Sequence, residues 1–214
     1  MIKVRKSADV PSSLLDPKKG YNEEDVNKQL LNDQYGKCYI CERTTVADYT
    51  IEHRQGKRKH PELRKDWHNL FLACTYCNTK KGEDFDDILD PEHDTIEDEI
   101  KQSIDFGDKK ALFTPTTDDG RHRETVRLLE RMFNGTGERR VIREERFFDY
   151  AIMVVSGFYN LVQRYRIEPN DDDEMAIREK LDISSEFLGF KYWIIKSDPL
   201  LDNKFAECMV WNRG

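Results

Sequence analysis

The sequence contains no apolar run near the roughly 20 residues that a membrane-spanning helix requires. Its start, from Met1 to Lys6, lacks the apolar stretch and the small-residue cleavage site of a secretory signal. Hydrophobic residues make up only 37% of the chain and charged residues 36%, which argues against a fibrous or membrane protein. We therefore expect a cytoplasmic protein without membrane contact, whose thiols are kept reduced.

Acidic residues outnumber basic ones, which gives a net charge of -7, but the two signs are unevenly distributed. Residues 1–82 contain 16 Lys and Arg against 11 Asp and Glu, whereas residues 83–214 contain 19 against 31. A basic region suits a polyanion such as nucleic acid, and an acidic region suits a protein partner. The two parts of the chain are therefore expected to have different tasks.

The part before residue 83 has the pattern of a few short elements. A helix is predicted to begin at the cap residue Asn22 and to end before Gly36. One strand is expected to end at residues 49–51 and a second to cover the apolar residues 70–73. A further helix is expected at residues 78–81. The pattern is thus two strands followed by a helix.

A change in composition follows at residues 83–99, here called the acidic segment. It contains ten acidic side chains and no basic one, with Pro91 near its middle, which predicts a linker or a solvated surface segment. The lesser alternative is that it folds over the basic part of the chain and restrains it. Two short strands, at 100–106 and 111–117, are expected next. Beyond them apolar residues recur at helical spacing, most clearly between Phe147 and Tyr165, so this half is predicted to be mainly helical.

Four of the five cysteines form two Cys-x-x-Cys pairs, Cys38 with Cys41 and Cys74 with Cys77. Each pair can present two thiolates from one tight turn, and two such pairs complete a tetrahedral zinc site. Four cysteine ligands leave no open coordination position, so this zinc is expected to be structural. The alternative is two chance pairs of unliganded thiols. Cys208, outside the pattern, is expected to be an unligated, partly buried thiol.

Further residues with catalytic chemistry lie between and beside these pairs. Glu52 directly precedes His53, Asn69 follows Trp67-His68, and Asn78 follows the last Cys of the pattern. Together with Lys81-Gly82, this signature resembles the HNH endonuclease family in its four-Cys, ββα-metal form, over about residues 36–82. The resemblance implies an α+β fold, in which a zinc-stapled ββα-metal module is followed by the mainly α-helical C-terminal region.

The resemblance also implies a role for each of these residues. His53 would be the general base that activates a water, Glu52 and Asn78 would hold one catalytic Mg²⁺, and Asn69 would brace the loop and orient His53. These residue types suit phosphodiester hydrolysis, which needs a base with a pKa near neutrality and a hard cation with oxygen ligands. Glu52 stands where the family more often has Asp, which makes Mn²⁺ an alternative to Mg²⁺.

The loop after His53, residues 54–65, is rich in Lys and Arg and is here called the basic loop. A basic loop beside a catalytic His can follow a phosphate backbone, although such loops elsewhere are ordinarily just solvated. The candidate nucleic-acid-binding residues are Arg54, Lys57, Arg58, Lys59, Lys80 and Lys81. We expect a nucleic-acid substrate, with DNA favoured and RNA, including tRNA, as the alternative.

The wider frame, a start at Ile2-Lys3-Val4, the four-Cys core and an acidic helical remainder, resembles PtuB, the nuclease subunit of bacterial Septu-type anti-phage systems, also found with some retrons. This resemblance implies an ABC-type ATPase partner like PtuA and, in retron systems, a DNA-RNA component. Two alternatives stay open. One is a non-catalytic zinc-binding adaptor for nucleic acid or protein, and the other is a restriction-type nuclease that acts alone.

These patterns predict three units. Residues 1–85 would form the HNH nuclease domain with an N-terminal arm and helix. Residues 86–120 would contain an acidic linker and the short strands, and residues 121–214 would form a helical domain for partner docking.

Overall fold

A computed structural model describes residues 1–45, 47–137 and 139–211 of the chain. The elements of the N-terminal part are α1 (Ser12–Leu15), α2 (Glu24–Asp33), β1 (Tyr49–His53), β2 (Leu70–Cys74) and α3 (Thr75–Lys81). The expected helix before the first cysteines is present as α2, but its N-cap is Glu23 rather than Asn22. The Asn22 side chain instead accepts a hydrogen bond from Asn27 Nδ2 at 3.0 Å.

The two strands pair antiparallel, with His53 opposite Leu70, and α3 follows directly, which is the expected ββα order. All residues of β2 are buried, as its continuous apolar composition requires. The Gln34 side chain bonds the backbone of β2 at Leu72, accepting from its N–H at 2.7 Å and donating to its C=O at 3.0 Å. One amide side chain thus satisfies both backbone groups of Leu72 on that side of the strand.

The N-terminal arm packs on the same unit. Ile2 and Val4 are buried, and the Lys6 ammonium donates to the backbone carbonyls of Trp67 and Leu70, the latter at 3.1 Å. Because Lys6 is also 3.3 Å from the Glu92 carboxylate, it links the arm, the hairpin and the acidic segment.

The acidic segment ends in α4 (Ile96–Glu99), and β3 (Ile100–Asp105) and β4 (Lys110–Pro115) follow it. The two strands pair antiparallel, which confirms the two short strands expected at 100–106 and 111–117. Within the acidic segment, Phe85, Ile88 and Leu89 are buried in the core. Apolar contacts therefore hold the backbone of the acidic segment in place, and the segment is not a freely solvated linker.

The described part of the C-terminal region, residues 120–137 and 139–211, contains the α-helices α5 (Gly120–Asn134), α6 (Ile142–Ile167), α7 (Asp171–Lys180), α8 (Leu188–Lys196) and α9 (Pro199–Phe205), and a 3-10 helix follows at Ala206–Met209. This confirms that the C-terminal half is mainly helical. The apolar stripe of α6, including Phe147, Ala151, Phe158 and Val162, is buried as its spacing predicts.

One apolar cluster joins the four paired cysteines to residues of β4, α5, α6 and α8. At its centre the Tyr76 ring of α3 stacks on Phe147 of α6, with centroids 4.6 Å apart, and the Tyr76 hydroxyl donates to Met132 O at 2.7 Å.

The limits of the three units at 1–85, 86–120 and 121–214 stay predictions. In residues 1–45, 47–137 and 139–211, no helix has the length and apolar character needed to cross a membrane.

Candidate metal centre and catalytic cleft

The two cysteine pairs come from different kinds of turn. Cys38 and Cys41 lie in a tight turn closed by the bond from Glu42 N to Cys38 O at 2.8 Å, in which Glu42 has a φ of 62°. Cys74 ends β2 and caps α3, because its sulfur accepts from Cys77 N at 3.4 Å. The hairpin therefore brings its own last residue and the first turn of α3 against the turn that precedes β1.

The four sulfurs lie within 4.8 Å of one another, and all four residues are buried. Cys41 Sγ and Cys74 Sγ are 3.9 Å apart. A tetrahedral ion with bonds of about 2.3 Å to sulfur separates its ligands by about 3.8 Å, so the geometry suits zinc. The cluster can hold a metal such as zinc, as the spacing of the cysteines predicts.

The electrostatics of the cluster also favour a bound cation. Burial raises the pKa of the Cys41 and Cys77 thiols, whereas hydrogen bonds from the three neighbouring thiols lower the pKa of Cys74. The Cys41 and Cys77 thiols thus resist ionisation unless a positive charge compensates the thiolates. A divalent cation supplies that compensation and releases the thiol protons when it binds.

His53 ends β1 and lines a cleft of the same module. Its Nε2 is 3.0 Å from the backbone carbonyl of Arg64, and the Tyr21 ring meets it edge to face at a centroid distance of 4.6 Å. A carbonyl oxygen only accepts, so Nε2 carries the proton and Nδ1 keeps its lone pair. Burial lowers the pKa of His53, although the bond to Arg64 opposes this effect, so the ring is neutral at neutral pH.

Glu52 is buried beside His53 and is paired with a lysine. Lys81 Nζ donates to Glu52 Oε1 at 2.9 Å and to the backbone carbonyl of His53 at 3.0 Å. Burial raises the pKa of Glu52, while the Lys81 ammonium acts in the opposite direction. The sequence predicts that Lys81 binds nucleic acid, but its side chain is fully buried and bonded to Glu52. It is therefore not exposed to a nucleic acid.

Asn69 is buried and contacts the basic loop rather than the cleft. Its side chain accepts from Gln55 N at 2.8 Å and donates to Gln55 O at 3.0 Å and to Leu63 O at 3.3 Å. These three bonds connect both ends of the loop whose Arg64 carbonyl holds His53. They are the contacts that a bracing residue would make, and that role stays a prediction.

Three of the four catalytic candidates meet in one cleft of about 240 Å³. Glu52 and His53 of β1 and Asn78 of α3 line it together with Lys57, Arg58 and Glu83. The side-chain amide of Asn78 makes no hydrogen bond to the residues that the structure describes, so its oxygen is available to a ligand. Asn69 does not line the cleft.

The cations assigned to nucleic acid from the sequence have different surroundings. Lys57 Nζ donates to the Tyr21 hydroxyl at 2.9 Å, and Arg58 and Lys59 are exposed. Arg54 is largely buried, 3.2 Å from the Asp90 carboxylate. Lys80 is bonded to Glu144 at the start of α6 and so contacts the helical region. Only Lys57 and Arg58 line the cleft.

Tyr21 is a site residue that the sequence pattern does not indicate. Besides its contact with His53, its ring lies 5.2 Å from Lys57 Nζ and 5.7 Å from the Arg64 guanidinium. Because it lies far upstream of the motif and before α2, no spacing rule connects it to His53. Glu83, which also lines the cleft, belongs to the acidic segment, for which a solvated spacer was the favoured prediction and a fold over the basic site the lesser alternative.

Comparison with known families agrees with this geometry. The model of the HNH endonuclease family matches residues 38–84, from the first cysteine of the cluster to three residues beyond α3. The search of curated proteins found no match. The chain therefore contains an HNH endonuclease domain with a four-Cys cluster, and this domain indicates nuclease activity and a nucleic-acid substrate.

Proposed function

We propose that this protein is a metal-dependent endonuclease that hydrolyses phosphodiester bonds of nucleic acid. The observation that carries the proposal is the orientation of His53 in the cleft. Its Nε2 is committed to the Arg64 carbonyl at 3.0 Å, and Glu52 and Asn78 line the same cleft. The fixed tautomer leaves Nδ1 as the base, as general base catalysis requires.

In this proposal a water beside His53 Nδ1 loses its proton to the imidazole as it attacks the phosphorus atom. Attack in line with the leaving 3′ oxygen gives 5′-phosphate and 3′-hydroxyl ends. The lowered pKa of His53 keeps the ring unprotonated, and therefore able to accept, at neutral pH. Lys57 and Arg58, at the rim of the cleft, are placed to contact the phosphates.

Glu52 and Asn78 offer a carboxylate and an amide oxygen, which are ligand types that Mg²⁺ prefers. When bound, the cation supplies positive charge for the developing charge on the leaving oxygen. Lys81 occupies only Oε1 of Glu52, so Oε2 remains for a ligand. Since Mg²⁺ keeps several waters and takes substrate phosphate oxygens, two protein ligands suffice for it. Mn²⁺ suits the same donors.

His53→Ala tests the proposal. Loss of a general base lowers the cleavage rate by roughly 10²- to 10⁴-fold, and the zinc content and the far-UV circular dichroism should stay unchanged because His53 is outside the cysteine cluster. The matched control is His68→Ala, since His68 is an exposed histidine whose ring contacts Glu92. Equal cleavage by His53→Ala and the parent, with Mg²⁺ or Mn²⁺ present, would refute the proposed mechanism.

Duplex DNA is the proposed substrate, and single-stranded RNA and tRNA are tested beside it. The cleft presents cations and a base to a phosphodiester, the group that DNA and RNA share. Cleavage of RNA alone would change the substrate and leave the mechanism in place.

The resemblance of the whole chain to PtuB supports a role in anti-phage defence beside an ABC-type ATPase. The acidic C-terminal half, with 31 Asp and Glu against 19 Lys and Arg in residues 83–214, suits docking on a protein. We expect the full chain, purified from its own cells, to bring an ATPase with it in a defined ratio. Purification as a single chain that cuts DNA at selected sequences would instead favour a restriction-type nuclease acting alone.

A zinc-binding adaptor without catalysis is the second candidate. The contact of Lys81 with Glu52 favours it, because an ammonium already neutralises the carboxylate that the nuclease needs for its cation. An adaptor would bind nucleic acid with the same affinity before and after His53→Ala and would not cleave it under any metal.

A further inference from the structure

The acidic segment contacts the basic loop at the residues that would meet the substrate. Arg58 Nε is 2.5 Å from Glu83 Oε1, and Lys59 Nζ is 2.8 Å from Asp86 Oδ2. Lys59 Nζ also donates to the backbone carbonyl of Glu83 at 2.7 Å. Two carboxylates therefore hold two exposed cations of the loop.

The backbone of the basic loop meets side chains of the acidic segment at the same place. Gly56 N donates to Asp86 Oδ1 at 2.8 Å. A Cβ on Gly56 would lie 3.2 Å from that oxygen and 3.2 Å from Glu83 Cγ, which is a tight contact for a side-chain carbon. Gly56 thus lets the two acidic side chains pack closely against the loop.

The acidic segment is fixed from its other side. Phe85, Ile88 and Leu89 are buried, and Leu89 N donates to Thr125 Oγ1 of α5 at 2.8 Å. Asp84 pairs with Arg131 of α5 at 2.9 Å. Because α5 and the core hold the backbone, Glu83 and Asp86 stay beside the loop whether or not they are paired.

We propose that Glu83 and Asp86 form an autoinhibitory contact, in which their carboxylates occupy Arg58 and Lys59 in place of substrate phosphates. The inference rests on the proposed function, because it concerns the substrate of the same cleft. Carboxylates and phosphates are both anionic acceptors for guanidinium and ammonium groups. Glu83 also lines the cleft with His53 and Asn78, so the nucleic acid has to displace its side chain to reach them.

The exposure of the pairs determines which of them nucleic acid can break. The Arg58 side chain is 81% exposed and that of Lys59 is 54% exposed, so their ion pairs are weak and exchange readily. The side chains of Arg54 and Asp90 are only 16% and 18% exposed, so this pair stays in place. Lys57 has no carboxylate partner among the described residues and remains available for the first contact. The ion pairs of Arg58 with Glu83 and of Lys59 with Asp86 therefore weaken the binding of nucleic acid reversibly.

The test measures binding rather than cleavage, in the His53→Ala background, with a short fluorescent DNA duplex and a single-stranded RNA as probes. Glu83→Gln/Asp86→Asn should lower the Kd about tenfold at moderate salt, and the slope of log K against log salt should steepen by about 2 because two cations are released for phosphates. The matched control is Asp87→Asn/Asp108→Asn, which removes the same charge at two exposed carboxylates that contact neither the basic loop nor α5 through an ion pair among the described residues.

A Kd that stays constant or rises in Glu83→Gln/Asp86→Asn overturns the proposal, and a rise would mean that the carboxylates position the loop for substrate. Equal tightening by the control pair overturns it too, since the effect would then be one of net charge. Absence of binding to either probe by all variants also overturns it. If the double variant does not fold, Glu83→Gln alone gives the same comparison. If the parent chain does not cleave nucleic acid, the proposed nuclease activity is refuted. The change in Kd between the variants can still be interpreted in that case.

Discussion

Lys81 decides whether Glu52 can exist as a buried carboxylate. Its side chain is fully buried and that of Glu52 is 11% exposed, and Nζ donates to both Glu52 and the His53 carbonyl. Removing one partner of a buried ion pair leaves an uncompensated charge, which is more damaging than removing both. Lys81 is therefore a positioning residue for the cleft as well as part of its electrostatic balance.

Lys81→Met should lower the free energy of unfolding by about 3 to 5 kcal/mol, because Glu52 loses its counter-charge in a buried position. Urea unfolding measures the change. The double variant Glu52→Gln/Lys81→Met should recover much of the loss, since neither charge remains. A loss below about 1 kcal/mol in Lys81→Met would show that water reaches Glu52 and that the pair behaves as a surface contact.

At the scale of elements, one ion in the cysteine cluster would hold β1, β2 and α3 together. Their hairpin separates the two cysteine pairs by 32 residues, and the sulfurs meet only because the strands and α3 return the chain to the first turn. Structural zinc contributes on the order of 10 to 16 kcal/mol in small modules, which is comparable with or larger than the whole stability of a domain, about 5 to 15 kcal/mol. We therefore expect the module to fold only when the metal binds.

Cys41→Ser should abolish stoichiometric zinc binding and unfold the ββα module. Metal analysis of the purified chain and amide hydrogen exchange across β1 and β2 measure both effects. Cys208→Ser is the matched control, because Cys208 lies outside the cluster, near Arg178. Full zinc content and unchanged protection in Cys41→Ser would mean that three thiolates suffice and that the four-Cys reading of the site is wrong.

Across the whole molecule, local patterns predicted the elements and the metal centre, whereas contacts between distant segments could not be predicted. The spacing of Cys38, Cys41, Cys74 and Cys77 is informative because tetrahedral zinc geometry fixes what the chain must do. The stripe of α6 is informative because helix period determines its buried face. The contacts of Tyr21 with His53 and of Lys80 with Glu144 depend on how separate elements pack together. The periodicity of a sequence contains no information about such packing.

The same limit applies to charge. Counting residues correctly separates a basic from an acidic region, but it favours a solvated spacer for the acidic segment because a count of charges ignores Phe85, Ile88 and Leu89. Three apolar side chains are enough to fix the path of the backbone. The packing of these apolar residues then places the Glu83 and Asp86 carboxylates beside the basic loop, where carboxylates in a solvated spacer would not be held.

Glu144 connects the nuclease helix to the longest helix of the molecule. Its carboxylate accepts from Val141 N at 2.9 Å at the first turn of α6 and also bonds Lys80 of α3, two residues after Asn78. Gly135, with a φ of 83°, leaves the room for it, because a Cβ there would lie 2.5 Å from Glu144 Oε2. If a partner protein displaced the start of α6, the contact between Glu144 and Lys80 would carry the displacement to α3, the helix that bears Asn78.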